Sequence, residues 1–168
     1  MTLITCYDAY DAGMLPGGAK AYMAYQHNLA QVRARFPHAK VFRITTNGAE
    51  DELDYDGCDC ENGDAGPETA ADWAYEKYHA KVGALPWVYV QLANRGQVVD
   101  ALRARGMVFG EQVWCWVARW LDSAAPPKAI RTGMDDGYSW GTGNMGWQFH
   151  RDAPDTFDVS VVLPKWVA

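Results

Sequence analysis

The spacing of apolar positions along the chain predicts a mixture of strands and helices. Short apolar runs bounded by glycine, proline or asparagine are typical of strands. They fall at about residues 3–8, 40–46, 85–91, 112–118, 146–149 and 157–163. Residues 57–61 form a shorter predicted strand, although aspartate is a poor strand former. Residues 128–132 are a further candidate within a stretch, 121–146, that is rich in proline, glycine, aspartate and serine and favours loops.

Apolar residues at steps of three and four predict three helices. The first spans about residues 19–35 and ends at Pro37, with a stripe made of Tyr22, Tyr25, Leu29, Val32 and Phe36. The second begins at Pro67, which suits a first helical position, and runs to about residue 82 before Gly83. The third covers about residues 95–105, between Asn94 and Gly106.

Strands alternating with helices predict parallel βαβ units, followed by a final third with few helices. Eight short strands could close into a barrel, but 168 residues are fewer than the ~200–250 of a full eight-helix barrel. We therefore predict one α/β domain over residues 1–168, a shortened TIM-like barrel. A doubly wound open sheet is the alternative.

The charge of the chain excludes several partners. Fifteen basic residues against twenty-one acidic ones give a net charge of −6, whereas nucleic acid and anionic membranes attract basic surfaces. We expect no nucleic-acid and no membrane partner; a neutral sugar polymer is compatible. The first residues lack the basic and apolar regions of a signal peptide, so we expect synthesis in the cytoplasm.

The four cysteines are expected to be buried free thiols. Cys58 and Cys60 have the wrong spacing for a zinc knuckle or a CxxC redox pair, and the four histidines are scattered. We predict neither a metal site nor a cofactor.

Asp59 and Glu61 are the first candidates for chemistry. On a strand, residues two apart share a face, so both carboxyls would point into the barrel and Cys58 and Cys60 toward the helices. Two nearby carboxylates repel, which keeps one protonated beside an ionised one, as glycoside cleavage requires. A solvated acidic turn is an equal alternative, because a chain with this many acids nearly yields the pattern by chance.

Two further acids stand at strand ends. Asp8 ends the first predicted strand and Asp158 begins the last. The first and last strands of a closed barrel are neighbours, and functional groups gather where strands end. The four acids could therefore surround one mouth, although Asp158 begins its strand rather than ending it.

Several segments together resemble glycoside hydrolase family 25, the lysozyme-type N-acetylmuramidases common among bacteriophage endolysins. The matching segments, in chain order, are Tyr7-Asp8-Ala9-Tyr10, Asp59-Cys60-Glu61, Trp116-Val117-Ala118-Arg119-Trp120, Trp147-Gln148-Phe149 and Phe157-Asp158-Val159. The resemblance implies a (β/α)5β3 barrel that hydrolyses the peptidoglycan glycan strand as a monomer. It also implies action at the cell wall after release from the cytoplasm, or from a virion.

The resemblance also implies roles for residues. Glu61 would be the general acid, Asp59 would assist it, and Asp8 and Asp158 would shape the charge around the reacting sugar. Flat apolar faces for sugar rings could come from aromatic side chains, with Gln148 beside them; the aromatic candidates are Tyr10, Tyr89, Trp116, Trp140 and Trp147. Core packing is the alternative role for each of these aromatics.

Departures from the family pattern keep other functions open. Ala9-Tyr10 stands where a small residue usually follows the first aspartate, which favours a non-catalytic glycan-binding or phage structural module as an alternative. Family 18 chitinases share part of the acidic strand, but Gly57 replaces one of their aspartates. A small-molecule enzyme on an open sheet finds no support in a GxGxxG, P-loop or GxSxG motif.

Overall fold

The computed structural model of the protein describes residues 3–118, 143–152 and 157–168. Its eight strands are β1 (Ile4–Asp8), β2 (Ala21–Tyr25), β3 (Lys40–Thr45), β4 (Gly57–Cys60), β5 (Trp87–Gln91), β6 (Trp114–Ala118), β7 (Asn144–Asp152) and β8 (Phe157–Val162). The described helices are α1 (Leu29–Arg35), α2 (Pro67–Ala80) and α3 (Arg95–Ala104). Short 3₁₀ helices lie at Ala12–Met14, Glu50–Glu52, Leu92–Asn94 and Pro164–Trp166.

The strands form a closed barrel in the order in which they occur along the chain. Neighbours from β1 to β7 are parallel, and β8 runs antiparallel to both β7 and β1. The predicted α/β barrel is confirmed, and the open doubly wound sheet is wrong. The finer (β/α)5β3 arrangement remains a prediction, since residues 119–142 lie outside the described part.

The predicted helix over residues 19–35 is wrong in its first half, which is strand β2. Only Leu29–Arg35 is helical. Four of the five residues of β2 are buried, and Met23 packs inside the barrel while Tyr22 packs outside it against Phe36, with ring centroids 3.9 Å apart. A strand covered on both faces shows no polar alternation, so its apolar positions imitated a helical stripe. The predicted strand at 128–132 lies outside the described residues.

Two apolar layers hold the barrel together. The inner layer fills the lumen with bulky side chains, among them Met23, Phe42, Trp87 and Trp116. The outer layer lies between the strands and helices α2 and α3; it contains Cys58, Cys60, Cys115, Val88, Val90, Trp73 and Leu102. All four cysteines are buried and free, as predicted.

Glycines on β4 and β7 make room for two indole rings in the lumen. A Cβ atom at Gly57 would collide with the ring of Trp87, and one at Gly146 with the ring of Trp116. The two rings lie 5.5 Å apart and Phe42 meets both edge-on. They fill the lumen beneath the end of the barrel at which Asp59 and Glu61 lie. None of the described helices has the length and apolarity needed to cross a membrane.

Candidate active site

A cavity of about 580 Å³ opens at the end of the barrel where β1–β5 finish. Six acidic side chains line it: Asp8, Glu52, Asp59, Glu61, Asp64 and Asp158. Tyr10, Tyr25, His27 and Tyr89 contribute further walls. The position agrees with the general rule that sites in parallel barrels lie at the carboxyl ends of the strands.

Strand β4 supplies the central pair of acids. Asp59 and Glu61 both line the cavity, while Cys58 and Cys60 pack in the outer layer beneath the helices, as the alternation of strand side chains predicts. Asp59 is only 2% exposed, whereas Glu61, just beyond the end of the strand, is partly exposed. The pair therefore combines a deep carboxyl group with one nearer to solvent.

The reversed direction of β8 brings Asp158 to the same mouth. Because β8 is antiparallel to β1, its first residues lie beside the last residues of β1, and Asp158 is paired in register with Asp8. The Gln148 side chain on β7 donates from Nε2 to Asp158 Oδ2 at 3.0 Å. Gln148 is 1% exposed and is absent from the cavity wall, so it contacts Asp158 from behind, and its predicted place as a substrate contact is corrected.

Burial and neighbouring charge raise the pKa of Asp59 from 3.8 to about 8. Burial is the largest cause, followed by repulsion from Glu61, Asp64 and Asp8. A hydrogen bond from the Tyr25 hydroxyl to Asp59 Oδ2, at 3.3 Å, acts in the opposite direction. At neutral pH Asp59 therefore retains a proton, and the charge of Glu61 beside it is one of the causes.

Tyr25 lines the cavity together with the four acids, and its hydroxyl group donates to Asp59. Burial raises its pKa, and so do the charges of Asp8, Asp59, Glu61 and Asp158. All four acids predicted from the sequence thus line the same cavity as Tyr25. Sequence reasoning missed Tyr25 because it was assigned to the first helix; as the last residue of a strand it would have been recognised as a rim residue.

The predicted aromatic contacts separate into two groups. Tyr89 and Tyr10 line the cavity, and Tyr10 is 83% exposed. Trp116 and Trp147 are completely buried, so their predicted role as sugar platforms is corrected: Trp116 fills the lumen and donates to Ser160 Oγ at 3.1 Å, and Trp147 packs in the outer layer. Trp140 lies outside the described residues.

The exposed ring of Tyr10 is held in place by two residues that sequence reasoning missed. His27 lies against it with ring centroids 4.4 Å apart and its Nε2 is 2.9 Å from the Tyr10 carbonyl oxygen. The buried amide of Asn28 donates to the carbonyl oxygens of Ala9 at 2.8 Å and Tyr10 at 3.1 Å, and accepts from the Tyr25 backbone N–H at 3.0 Å. Tyr10 and His27 together form what we call the aromatic shelf.

The chemistry available here is that of carboxyl groups, a phenol and an imidazole. Within the described ranges, no three histidine, cysteine or acidic side chains are placed so that they could hold a metal ion. A buried acid that keeps its proton, beside further carboxyl groups in an open cavity, can protonate a bound group and stabilise positive charge that develops beside it.

No family model and no curated protein matches the chain. Among solved structures, the fold is similar to the crystal structure of the Clostridium perfringens spore cortex lytic enzyme SleM, with a TM-score of 0.55. The match covers 98% of this chain and 69% of that chain at 10% sequence identity. At this identity the likeness extends to the fold alone.

Proposed function

We propose that the protein is a peptidoglycan hydrolase of the lysozyme type, cleaving the glycan strand after N-acetylmuramic acid. The observation that carries the proposal is that Asp8, Asp59, Glu61 and Asp158 line one open cavity together with Tyr25. These acids come from the first, a central and the last strand, and the barrel brings them to one mouth. The name of the structurally similar enzyme, a spore cortex lytic enzyme, is consistent with this substrate class.

Glu61 is the general acid in this proposal. It is the more exposed member of the protonated pair, so it can reach the glycosidic oxygen and transfer the proton to it. The bond between that oxygen and the anomeric carbon then breaks, and the carboxylates stabilise the positive charge that develops on the sugar ring. Water adds to the anomeric carbon and its proton returns to the carboxyl pair.

Asp59 assists Glu61 by holding the shared proton, and Asp8 and Asp158 provide negative charge near the reacting sugar. The aromatic shelf offers a flat apolar face for a neighbouring sugar ring. The protein would act as a monomer at the wall, after release from the cytoplasm or from a virion. These roles depend on the proposed hydrolysis, and the same experiment tests them.

The decisive experiment replaces the acid without changing its shape. Glu61→Gln is expected to lower the release of reducing ends from purified peptidoglycan by about 10²–10⁴-fold, the usual contribution of a general acid. The matched control is Glu76→Gln, which makes the same change on the exposed surface of α2 and should retain full activity. The proposal fails if the unaltered protein releases no reducing ends between pH 4 and 8, or if Glu61→Gln keeps the rate of the control.

A non-catalytic glycan-binding or phage structural module is the second candidate. The high exposure of Tyr10 on the aromatic shelf favours it, because such a surface can bind sugar rings without any acid chemistry. This function predicts saturable binding of wall fragments without turnover, equal in the unaltered protein and in Glu61→Gln. A loss of that binding in Tyr10→Ala would locate it at the shelf.

A further inference from the structure

We propose that the cavity prefers a glycan unit that carries a free, protonated amino group, as in a de-N-acetylated hexosamine, over its N-acetylated form. This inference deepens the proposed function and rests on it. It concerns the chemical class of sugar that occupies the mouth of the barrel rather than the reaction performed there.

The composition of the cavity wall is the first argument. The described residues that line it include six carboxyl groups and a single imidazole, that of His27, and no lysine or arginine. Such a surface repels anionic substituents and attracts cations, and a cleft of one sign concentrates oppositely charged ligands. The net charge of the whole chain, −6, has the same sign.

An unsatisfied buried oxygen is the second and independent argument. Asp59 lines the cavity at 2% exposure, and its Oδ1 atom has no hydrogen-bond partner among the described residues, since Tyr25 donates to the other oxygen. In the ionised form of Asp59 this oxygen is a buried acceptor without a donor, which is costly. A ligand that presents donors at this depth would remove that cost.

An ammonium group meets both requirements. It carries three N–H donors and a positive charge, so it can donate to Asp59 Oδ1 while it is attracted by the surrounding carboxylates. An acetamide offers a single N–H without charge and places a carbonyl oxygen among carboxylate oxygens. Bringing a cation to Asp59 also favours its ionised form, so we expect binding to release a proton from the pair.

The experiment compares one glycan in two chemical states. Wall strands rich in free glucosamine amines are divided, and one half is re-acetylated with acetic anhydride, which leaves the strand length unchanged. We expect kcat/KM for reducing-end release to be about tenfold higher on the amine-bearing strands, the value of one charge-assisted hydrogen bond. Added salt should reduce this ratio, because it screens the charges that cause it.

A pair of variants tests whether the preference belongs to the cavity. Asp64→Asn removes one exposed carboxylate from the wall and should lower the ratio by about two- to fivefold, the range for an exposed charge interaction. Asp100→Asn makes the same change on α3, where the side chain is 78% exposed and 3.6 Å from Arg103. It should leave the ratio unchanged.

The outcomes separate this inference from the proposed function. Equal or faster cleavage of the re-acetylated strands, or an equal effect of the two variants, overturns the amine preference and leaves the hydrolase standing. If neither strand is cleaved, the hydrolase fails, and calorimetric titration of the unaltered protein at mildly acidic pH with glucosamine and N-acetylglucosamine oligomers decides the inference. Tighter binding of the glucosamine oligomer supports it, and equal or weaker binding overturns it.

Discussion

At the scale of the residue, Asp59 is an acid whose ionisation opposes folding. Its pKa is raised to about 8 in the folded protein, mainly by burial. Between its unfolded value near 3.8 and about pH 8, the folded state binds a proton that the unfolded state has lost. The contribution of Asp59 to the free energy of unfolding is therefore fully present below pH 3.8 and is lost as the pH rises from 3.8 to about 8.

Replacing Asp59 with the neutral isostere should remove this pH dependence. We expect Asp59→Asn to have nearly the stability of the unaltered protein at pH 4 and to exceed it by a few kcal/mol at pH 8, on the order implied by the pKa shift. Urea unfolding followed by tryptophan fluorescence across this range measures the difference.

The exposed Asp100→Asn is the control for that series, and its effect should stay constant with pH. A gain for Asp59→Asn that fails to grow between pH 4 and 8, or that declines, would contradict the raised pKa of the buried Asp59. The proposed hydrolytic activity should be lost in Asp59→Asn at every pH, because the amide cannot hold the proton that Asp59 retains.

Residues could be predicted from the sequence only where a local rule applied to them. Strand alternation placed Asp59 and Glu61 on one face and Cys58 on the other, and the structure confirms that arrangement. Asn28 was beyond such a rule, since its amide binds backbone atoms eighteen and nineteen residues away.

At the scale of the element, β4 depends on a glycine that accommodates an indole ring. Gly57 faces the lumen two residues before Asp59, and Trp87 on the neighbouring strand occupies the space that a side chain would need. The same contact explains why the aspartate of the chitinase pattern has no counterpart here: a carboxylate at position 57 would collide with Trp87.

We expect Gly57→Ala to destabilise the protein by about 1–3 kcal/mol, the usual cost of overpacking a filled core. The rigid ring and the paired strands on both sides leave little room to adjust. Thermal and urea unfolding measure the change, and the tryptophan fluorescence of the folded state should report the displaced ring.

Gly17→Ala is the matched control, because an added Cβ there meets no atom within 4 Å and the backbone is not left-handed. Its effect should lie within about 0.5 kcal/mol of zero. Equal stabilities of the two variants would show that the lumen beneath the acids is not tightly packed.

The sequence predicted α2 correctly but assigned β2 to a helix, and both outcomes depend on which local signals the sequence carries. The sequence marks helix α2 with Pro67 at its start and Gly83 after its end, so the predicted limits were close to the observed Pro67–Ala80. Strand β2 has core on both faces and lacks the polar alternation that distinguishes a half-exposed strand. Burial on two sides thus removes the signal on which periodicity depends.

At the scale of the whole molecule, the barrel should unfold as one unit. Cys6 packs in the lumen, while Cys58, Cys60 and Cys115 lie in the outer layer, and all four are buried. Cysteine thiols in both layers can therefore report when each layer becomes exposed to solvent.

We expect all four thiols to be unreactive toward a disulfide reagent in the folded protein and to become reactive together across one denaturant transition. Reaction with the lumenal and outer thiols at the same midpoint as the loss of fluorescence would support a single domain. Serine replacement of Cys6 alone is the control, since it should remove one equivalent without changing the shape of the transition. Separate midpoints for the two layers would contradict cooperative unfolding.

Barrel closure and the direction of the last strand differ in how far the sequence determines them. Closure of the barrel was predicted from a count of eight strands. The described part of the structure also has eight strands, but β2 is one of them and the predicted strand at residues 128–132 is not. The direction of β8 did carry a signal: only seven residues separate the predicted strands 146–149 and 157–163, too few for a parallel crossover. That reversal is what makes Asp158 a rim residue.

The pairing of β1 with β8 has a consequence for the order of events during synthesis. Asp8 emerges from the ribosome some 150 positions before Asp158, yet the two meet in register. A ribosome-bound chain cannot assemble the full set of acids until residues 157–162 have left the exit tunnel. The four-acid cavity, and any activity that depends on it, can therefore arise only when β8 closes the barrel.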